Sequence, residues 1–219
     1  MAYYSFKEKY FKFEITMGTK KIGCVIAYRK GHTNYGTSLV GYALIKKIQK
    51  LGYDVEVINY VKRPTLIQKM AWVINAMRCG MGNVISDRLK GVKDLKNNAE
   101  YAANIKIRTD AVEAYKKRKL LPFFKDYVGF KALHDGSKKY DIIIVGSDQI
   151  WTPLSLPTKF FNLLFVDDKV RKVAYASSFG VSSIPEFQKK ATGAYLDRFH
   201  AIGMRELSGK KIVDALSRQ

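Results

Sequence analysis

The chain has 219 residues, 47% of them hydrophobic, and carries 39 Lys and Arg against 19 Asp and Glu, a net charge of +20. That length suits one domain, or one and a half, with a sizeable core, and the apolar share excludes a disordered polymer. Five prolines and 16 glycines, spread without bias, leave no linker or low-complexity stretch. The two cysteines, Cys24 and Cys79, show neither C-x-x-C nor Cys/His metal spacing and read as reduced thiols. No run is long enough to span a bilayer. The first residues mix aromatics with charges and lack a signal peptide's apolar stretch, so residues 1–20 read as an extension, with Met17 just ahead of the first strand.

The excess of cations would draw nucleic acid, anionic lipid or phosphorylated substrates. The lysines are scattered, however. The densest run, Lys116-Lys-Arg-Lys119, fits a solvated helix face as well as a nucleic-acid patch. No helix-turn-helix, zinc-finger or RNA-recognition signature accompanies the charge, so nucleic acid is not the expected partner.

In chain order, residues 21–27 read as a buried strand, followed by a polar loop with turn residues Gly31, Asn34 and Gly36. Thr37 and Ser38 can cap a helix running to about Leu51, with Leu39, Val40, Tyr42, Ala43, Ile45 and Ile48 at helical spacing and Gly52 ending it. Residues 54–60 alternate as a second strand, which completes a β-loop-α-β unit. Residues 64–119 read as a helical insertion. Its first part, 66–77, is apolar over a broad face and suits a core helix, a lid or a helix on a membrane surface; its last part, 98–119, is long and charged and stops at Pro122. Strands follow at 141–145, 172–177 and 201–204, a short apolar run at 160–166, and helices at 186–199 and 206–216. Alternating strands and helices predict an α/β fold, a Rossmann-like doubly wound and mostly parallel sheet.

Two segments stand out, the run from Asp141 to Trp151 and the run from Tyr175 to Gly180. Each is an apolar or small-residue stretch that breaks abruptly into small polar residues. A buried parallel strand looks like this where it delivers side chains to the sheet's carboxyl rim, and ligands of open α/β sheets bind at that rim. Asn34, Tyr35, Gly36 and Thr37 join strand to helix, where exposed N–H groups and the helix dipole favour an anion; a plain tight turn is the alternative. Ser147, Asp148 and Gln149 follow a strand. Asp148 can take a proton from a sugar hydroxyl or hydrogen-bond it, or can merely hold its own loop. Trp151 can stack on a sugar or fill the core. Ser177 and Ser178 form another polar pair at a strand end, without the Gly-x-Ser-x-Gly elbow of serine hydrolases. Arg205 is placed to clamp a carboxylate or phosphate, unless Glu206 pairs with it. Gly80-Met-Gly82 follows a helix and is no dinucleotide fingerprint. His32, His134 and His200 stand alone in sequence and are not expected as bases.

Taken in order, Asn34-Tyr-Gly36 leading to Tyr42-Ala-Leu44, the run from Leu51 to Tyr60, the run from Ile144 to Trp151, Tyr175 to Gly180, Phe199 to Glu206 and Ser208-Gly209 resemble the polysaccharide pyruvyl transferase family over roughly residues 21–216. Val40 stands where the family usually has Gln, and Gly203 where it has Ser or Thr. The resemblance implies the N-terminal half of a two-domain fold arranged like the two-domain (GT-B-like) glycosyltransferases, with the ligand in the cleft between halves. It also implies pyruvyl transfer from phosphoenolpyruvate to sugar hydroxyls, giving a ketal on an exopolysaccharide or capsule precursor, with no cofactor or metal beyond the donor substrate. Asp148 would serve the acceptor hydroxyl as base. Arg205 would hold the donor's carboxylate or phosphate, and Asn34, Gly36 and Thr37 would line the same edge, with Tyr35, Ser147, Gln149, Trp151, Ser177 and Ser178 as further substrate contacts. Much of the family's donor-binding and acid chemistry, a histidine included, belongs to the second half. On this reading the unit is incomplete alone and is a truncation, a split subunit or a decayed copy. The implied partners are phosphoenolpyruvate, a sugar or lipid-linked glycan and a separate C-terminal half, in the cytoplasm; the net charge and the apolar helix add peripheral contact with the inner face of an anionic membrane as a further expectation. A non-catalytic glycan-binding or assembly module, or a basic binder of nucleic acid or membrane, are the alternatives.

Overall fold

The computed structural model describes residues 20–28, 30–31, 34–80 and 98–218; residues 1–19 of the expected N-terminal extension, His32 and Gly82 lie outside the described residues. Six strands pair in parallel: β1 (Lys21–Val25), β2 (Asp54–Val61), β3 (Phe124–Val128), β4 (Ile142–Gly146), β5 (Arg171–Ser177) and β6 (Ala201–Met204). Their order across the sheet is β3-β2-β1-β4-β5-β6, the doubly wound order. The chain builds outward from β1 to β3, returns to the other side of β1 and builds outward again to β6, so the connections diverge between β1 and β4. The α/β, all-parallel expectation therefore stands.

Burial explains why these segments are strands. β1 reads KIGCV and β4 reads IIIVG, and both are almost wholly buried, as central parallel strands covered on both faces must be. Alternate residues feed two cores. Ile22, Cys24, Val55, Val57 and Ile142 pack with Leu44, Ile45 and Ile48 of helix α1 (Tyr35–Lys50) on one face. Val25, Ile58, Ile143 and Val145 pack with Phe165, Phe179, Leu196 and Phe199 on the other. A Cβ on Gly41 would lie 2.9 Å from Ile26 Cδ1, so α1 packs closely on the residue after β1 and the tip of the Ile26 side chain would have to shift to admit a larger residue.

Helix α2 (Leu66–Arg78) begins with a reciprocal cap, in which Thr65 Oγ1 accepts from Gln68 N while Gln68 Oε1 accepts from Thr65 N. Helix α3 (Ala99–Lys119) ends in a short turn around Pro122. These two helices hold the ends of the predicted helical stretch; residues 81–97 lie outside the described residues. Two elements escaped the sequence reading, β3 and helix α4 (Gly129–Ser137). β3 is an edge strand of sequence FKDYV in which only Tyr127 is buried, so its polar pattern does not announce a strand. Helices α5 (Glu186–Leu196) and α6 (Leu207–Leu216) follow β5 and β6. The apolar run 160–166 forms turns, not a regular element. No helix among the described residues is long and apolar enough to cross a membrane.

At the amino ends of the strands an ionic cluster ties the sheet to the turn after α4. Glu56 takes Lys21 Nζ at 2.7 Å, Lys139 Nζ at 2.6 Å and the Tyr140 hydroxyl at 2.8 Å. Burial alone would raise the Glu56 carboxyl, but its hydrogen bonds to Lys139, Lys21 and Tyr140 and the Lys139 charge hold it down at about 2.

Candidate active-site cleft

The carboxyl ends of β1 and β4, where the connections diverge, supply the two halves of a polar constellation. After β1 the chain turns into α1, whose start is capped by Asn34: its Oδ1 accepts from Thr37 N at 3.3 Å. That places Thr37 in the first turn with its hydroxyl directed across the gap, where it donates to Asp148 Oδ2 at 2.9 Å. After β4, Asp148 Oδ1 accepts from its neighbour's amide, Gln149 N, at 2.8 Å. Beyond β6, Arg205 presents Nη1 at 3.8 Å from Asp148 Oδ1 and Nε at 3.5 Å from Glu206 Oε2. Asp148 thus lies between a hydroxyl from the β1 side and a guanidinium from the β6 side.

A cleft of about 600 Å³ opens beside this group, lined by Asn34, Thr37, Asp148 and Gln149 together with Tyr28, Lys62 and Lys116. Lys116 belongs to the basic run at the end of α3. It is buried, not solvated, with Nζ 2.8 Å from Glu113 Oε1 and 5.5 Å above the Tyr28 ring. Glu113 Oε1 also accepts from Gly31 N at 2.9 Å, so α3 grips the β1–α1 loop. Burial raises the Glu113 carboxyl, and hydrogen bonds from Lys116 and Gly31 more than offset this and lower it. The Tyr28 hydroxyl is pushed up by burial and by the Glu113 and Asp126 charges, and therefore stays protonated. Lys62 and Lys116 were not singled out by sequence, since one lysine in a basic run looks like any other. The only pointer was the position of Lys62 just past a strand end.

The remaining expected site residues divide. Tyr35 is exposed at the start of α1, with its ring edge-on to Tyr115 at 5.0 Å. Gly36 lies in the same first turn, 3.4 Å from Asn34 Oδ1 by the position a Cβ would take. Ser147 is half-buried in the bend between β4 and Asp148. Three expectations require correction. Trp151 does not face a ligand. It is buried against Phe179, Tyr195 and Phe199, with its indole N–H donating to Phe161 O at 3.0 Å, so it fills the core. Ser177 and Ser178 are likewise buried. Ser177 Oγ donates to Val145 O at 3.4 Å and Ser178 Oγ accepts from Gly180 N at 3.0 Å. Through backbone bonds Ser178 N reaches Asp148 O at 3.0 Å and Arg205 N reaches Ser177 O at 3.0 Å. The serine pair therefore positions Asp148 and Arg205 from beneath. His134 and His200 both engage backbone groups, Phe165 O and Lys172 N, as structural histidines do.

Chemically, the group offers a carboxylate able to take a proton, a cation able to clamp an oxyanion, and two lysines on the cleft wall. Among the described residues no cluster of His, Cys, Asp and Glu could hold a metal ion. Compared with known proteins, residues 34–216 match the family model described as polysaccharide pyruvyl transferase. Neither a curated protein nor a solved structure gives a significant match.

Proposed function

The chain belongs to the polysaccharide pyruvyl transferase family, and from that premise we propose that it takes part in moving a pyruvyl group from phosphoenolpyruvate to hydroxyls of a cell-surface polysaccharide or its lipid-linked precursor. The observation carrying this reading is the convergence of Thr37, Asp148 and Arg205 on one rim, beside a cleft walled by Lys62 and Lys116. The donor is a compact polyanion, and a cationic cleft suits it. An acid protonates carbon 3 of phosphoenolpyruvate, which makes carbon 2 electrophilic. The oxygen of a sugar hydroxyl bonds to carbon 2 while its proton passes to Asp148. A second hydroxyl oxygen then bonds to the same carbon, its proton also passing to a base, and phosphate leaves with the electrons of the broken C–O bond. Arg205 holds the donor carboxylate or phosphate in bidentate fashion, and Lys62 offsets the charge of the departing phosphate. Thr37 orients the Asp148 carboxylate. The described unit acts as one lobe, on the cytoplasmic side, and a second lobe supplies the acid and further donor contacts.

Calorimetry tests the donor site directly. A charge-assisted contact contributes about 1.5–3 kcal/mol, so Arg205→Ala should weaken phosphoenolpyruvate binding by at least about tenfold. Equal binding by both proteins would remove Arg205 from the site. Supplying the second lobe and an acceptor glycan, then finding no ketal by mass spectrometry, would remove the activity. One observation favours a second reading: Arg205 already faces two carboxylates, Asp148 and Glu206, as a structural arginine in a glycan-binding module without turnover would. Glycan-array binding indifferent to phosphoenolpyruvate distinguishes that module from the enzyme.

A further inference from the structure

Helix α2 turns its apolar side outward. At about 100° per residue, Leu66, Ile67, Met70, Val73, Ile74 and Met77 share one arc of about 120°. All six are exposed, Leu66 by 73%, Ile67 by 79% and Met77 by 74%. The buried residues of the helix are Asn75 and Ala76. Asn75 Nδ2 donates to Pro153 O at 3.2 Å, and Asn75 Oδ1 accepts from Gln188 Nε2 at 2.6 Å. Gln188 Nε2 also donates to Pro153 O at 3.0 Å. At the helix's end the Arg78 guanidinium stacks 3.8 Å above the Phe187 ring. These contacts fix the helix with its inner side spent on hydrogen bonds. A soluble surface helix has the reverse arrangement, apolar in and polar out.

Along the sequence, the charges flanking and within this helix have one sign. From residue 57 to 86 the sequence contains no Asp or Glu, while Lys62, Arg63, Lys69 and Arg78 lie within it. Lys69 and Arg78 fall on opposite borders of the apolar arc, where long side chains can keep their charges at a headgroup level while their stems lie along apolar surface. An apolar strip bordered by cations is complementary to a negatively charged bilayer: the side chains enter the acyl boundary and the cations meet lipid phosphates. A protein partner would need acidic side chains on two sides of an apolar groove. A second copy of this face would oppose cation to cation.

We propose that α2 docks the protein on an anionic membrane surface. The helix follows the C-terminal end of β2 by way of Lys62, which lines the cleft, and packs on the loop that continues from Asp148. Docking through α2 therefore brings the cleft rim to the bilayer, where a lipid-carried substrate would be met. The proposal stands on the helix and its charges, and does not depend on pyruvyl transfer.

The test is co-sedimentation of the full chain with phosphatidylcholine vesicles containing or lacking 30 mol% phosphatidylglycerol, an amount on the order of natural anionic surfaces. The comparison protein is the triple variant Ile67→Gln, Met70→Gln, Met77→Gln. The substitutions are exposed, favour helix and leave the net charge untouched, and circular dichroism verifies that the fold is kept. The expected result is binding to the anionic vesicles that weakens at least tenfold in the variant and falls with added salt. Binding that the variant retains in full would mean that bulk charge alone drives association, which overturns the role of α2. No vesicle binding by the unaltered chain overturns the proposal outright. A sedimentation-velocity shift from dimer to monomer in the variant, without any vesicle effect, would assign the face to a second copy instead.

Discussion

Replacing Glu56 by Gln removes the anion that gathers Lys21, Lys139 and Tyr140 while keeping the shape of the side chain. The folded protein holds this carboxyl at about 2, against 4.5 for an ordinary glutamate. At about 1.4 kcal/mol per tenfold change in proton affinity, that gap corresponds to ~3 kcal/mol, and the 26% solvent exposure of the side chain brings the expected loss nearer ~2 kcal/mol. Because the folded value is the depressed one, the stabilisation is complete above the unfolded value near 4.5 and disappears as pH falls toward 2. Urea unfolding followed by tryptophan fluorescence is a suitable assay, since Trp151 is buried. At pH 7 the variant should be about 2 kcal/mol less stable, and at pH 3 the deficit should fall by more than half. An equal deficit at both pH values would show that the loss comes from packing, and no deficit at all would show that the cluster is energetically idle.

Two further outcomes follow from the interior of the sheet. Burial pushes the Cys24 thiol up to about 12, while Cys79 is only partly buried, so a disulfide reagent at pH 8 should modify Cys79 in the native protein and reach Cys24 only on unfolding; prompt modification of both would contradict the burial of β1. At Gly146 a Cβ would run into the Tyr175 carbonyl oxygen of the neighbouring strand. Gly146→Ala should cost about 3 kcal/mol and lower the melting temperature by roughly 6–12 °C. A melting point within about 2 °C of the parent protein would deny the close approach of β4 and β5.

Strands β1 and β4 were legible because burial on both faces leaves a continuous apolar signature, as in Ile142 to Val145, and β5, although Arg171 and Tyr175 are exposed, because its small residues run into the polar residues of a rim. The same logic located Thr37 and Asp148. β3 was illegible because an edge strand with Lys125 and Asp126 exposed carries no such signature. Nor could sequence divide Trp151, Ser177 and Ser178 from the residues that line the cleft. An aromatic or a hydroxyl at a strand end looks alike whether it turns toward the cleft or the core, and only the packing of Phe179 and Phe199 around the indole decides it. The buried Lys116 was hidden for a similar reason: its neighbours Lys117 and Arg118 are exposed, and a run of four basic residues does not reveal which one turns inward.

The hydrogen bond from Thr37 to Asp148 joins residues 111 positions apart, across the seam where the central strands meet. Neither side chain has this companion until β1 and β4 have zipped together, and contacts so remote along the chain form late and at high loop-closure cost. Nascent or nicked species can therefore display native helices and still lack a working rim. Formation of this single bond would then report completed assembly of the sheet, giving a readout of folding that helix content alone cannot provide.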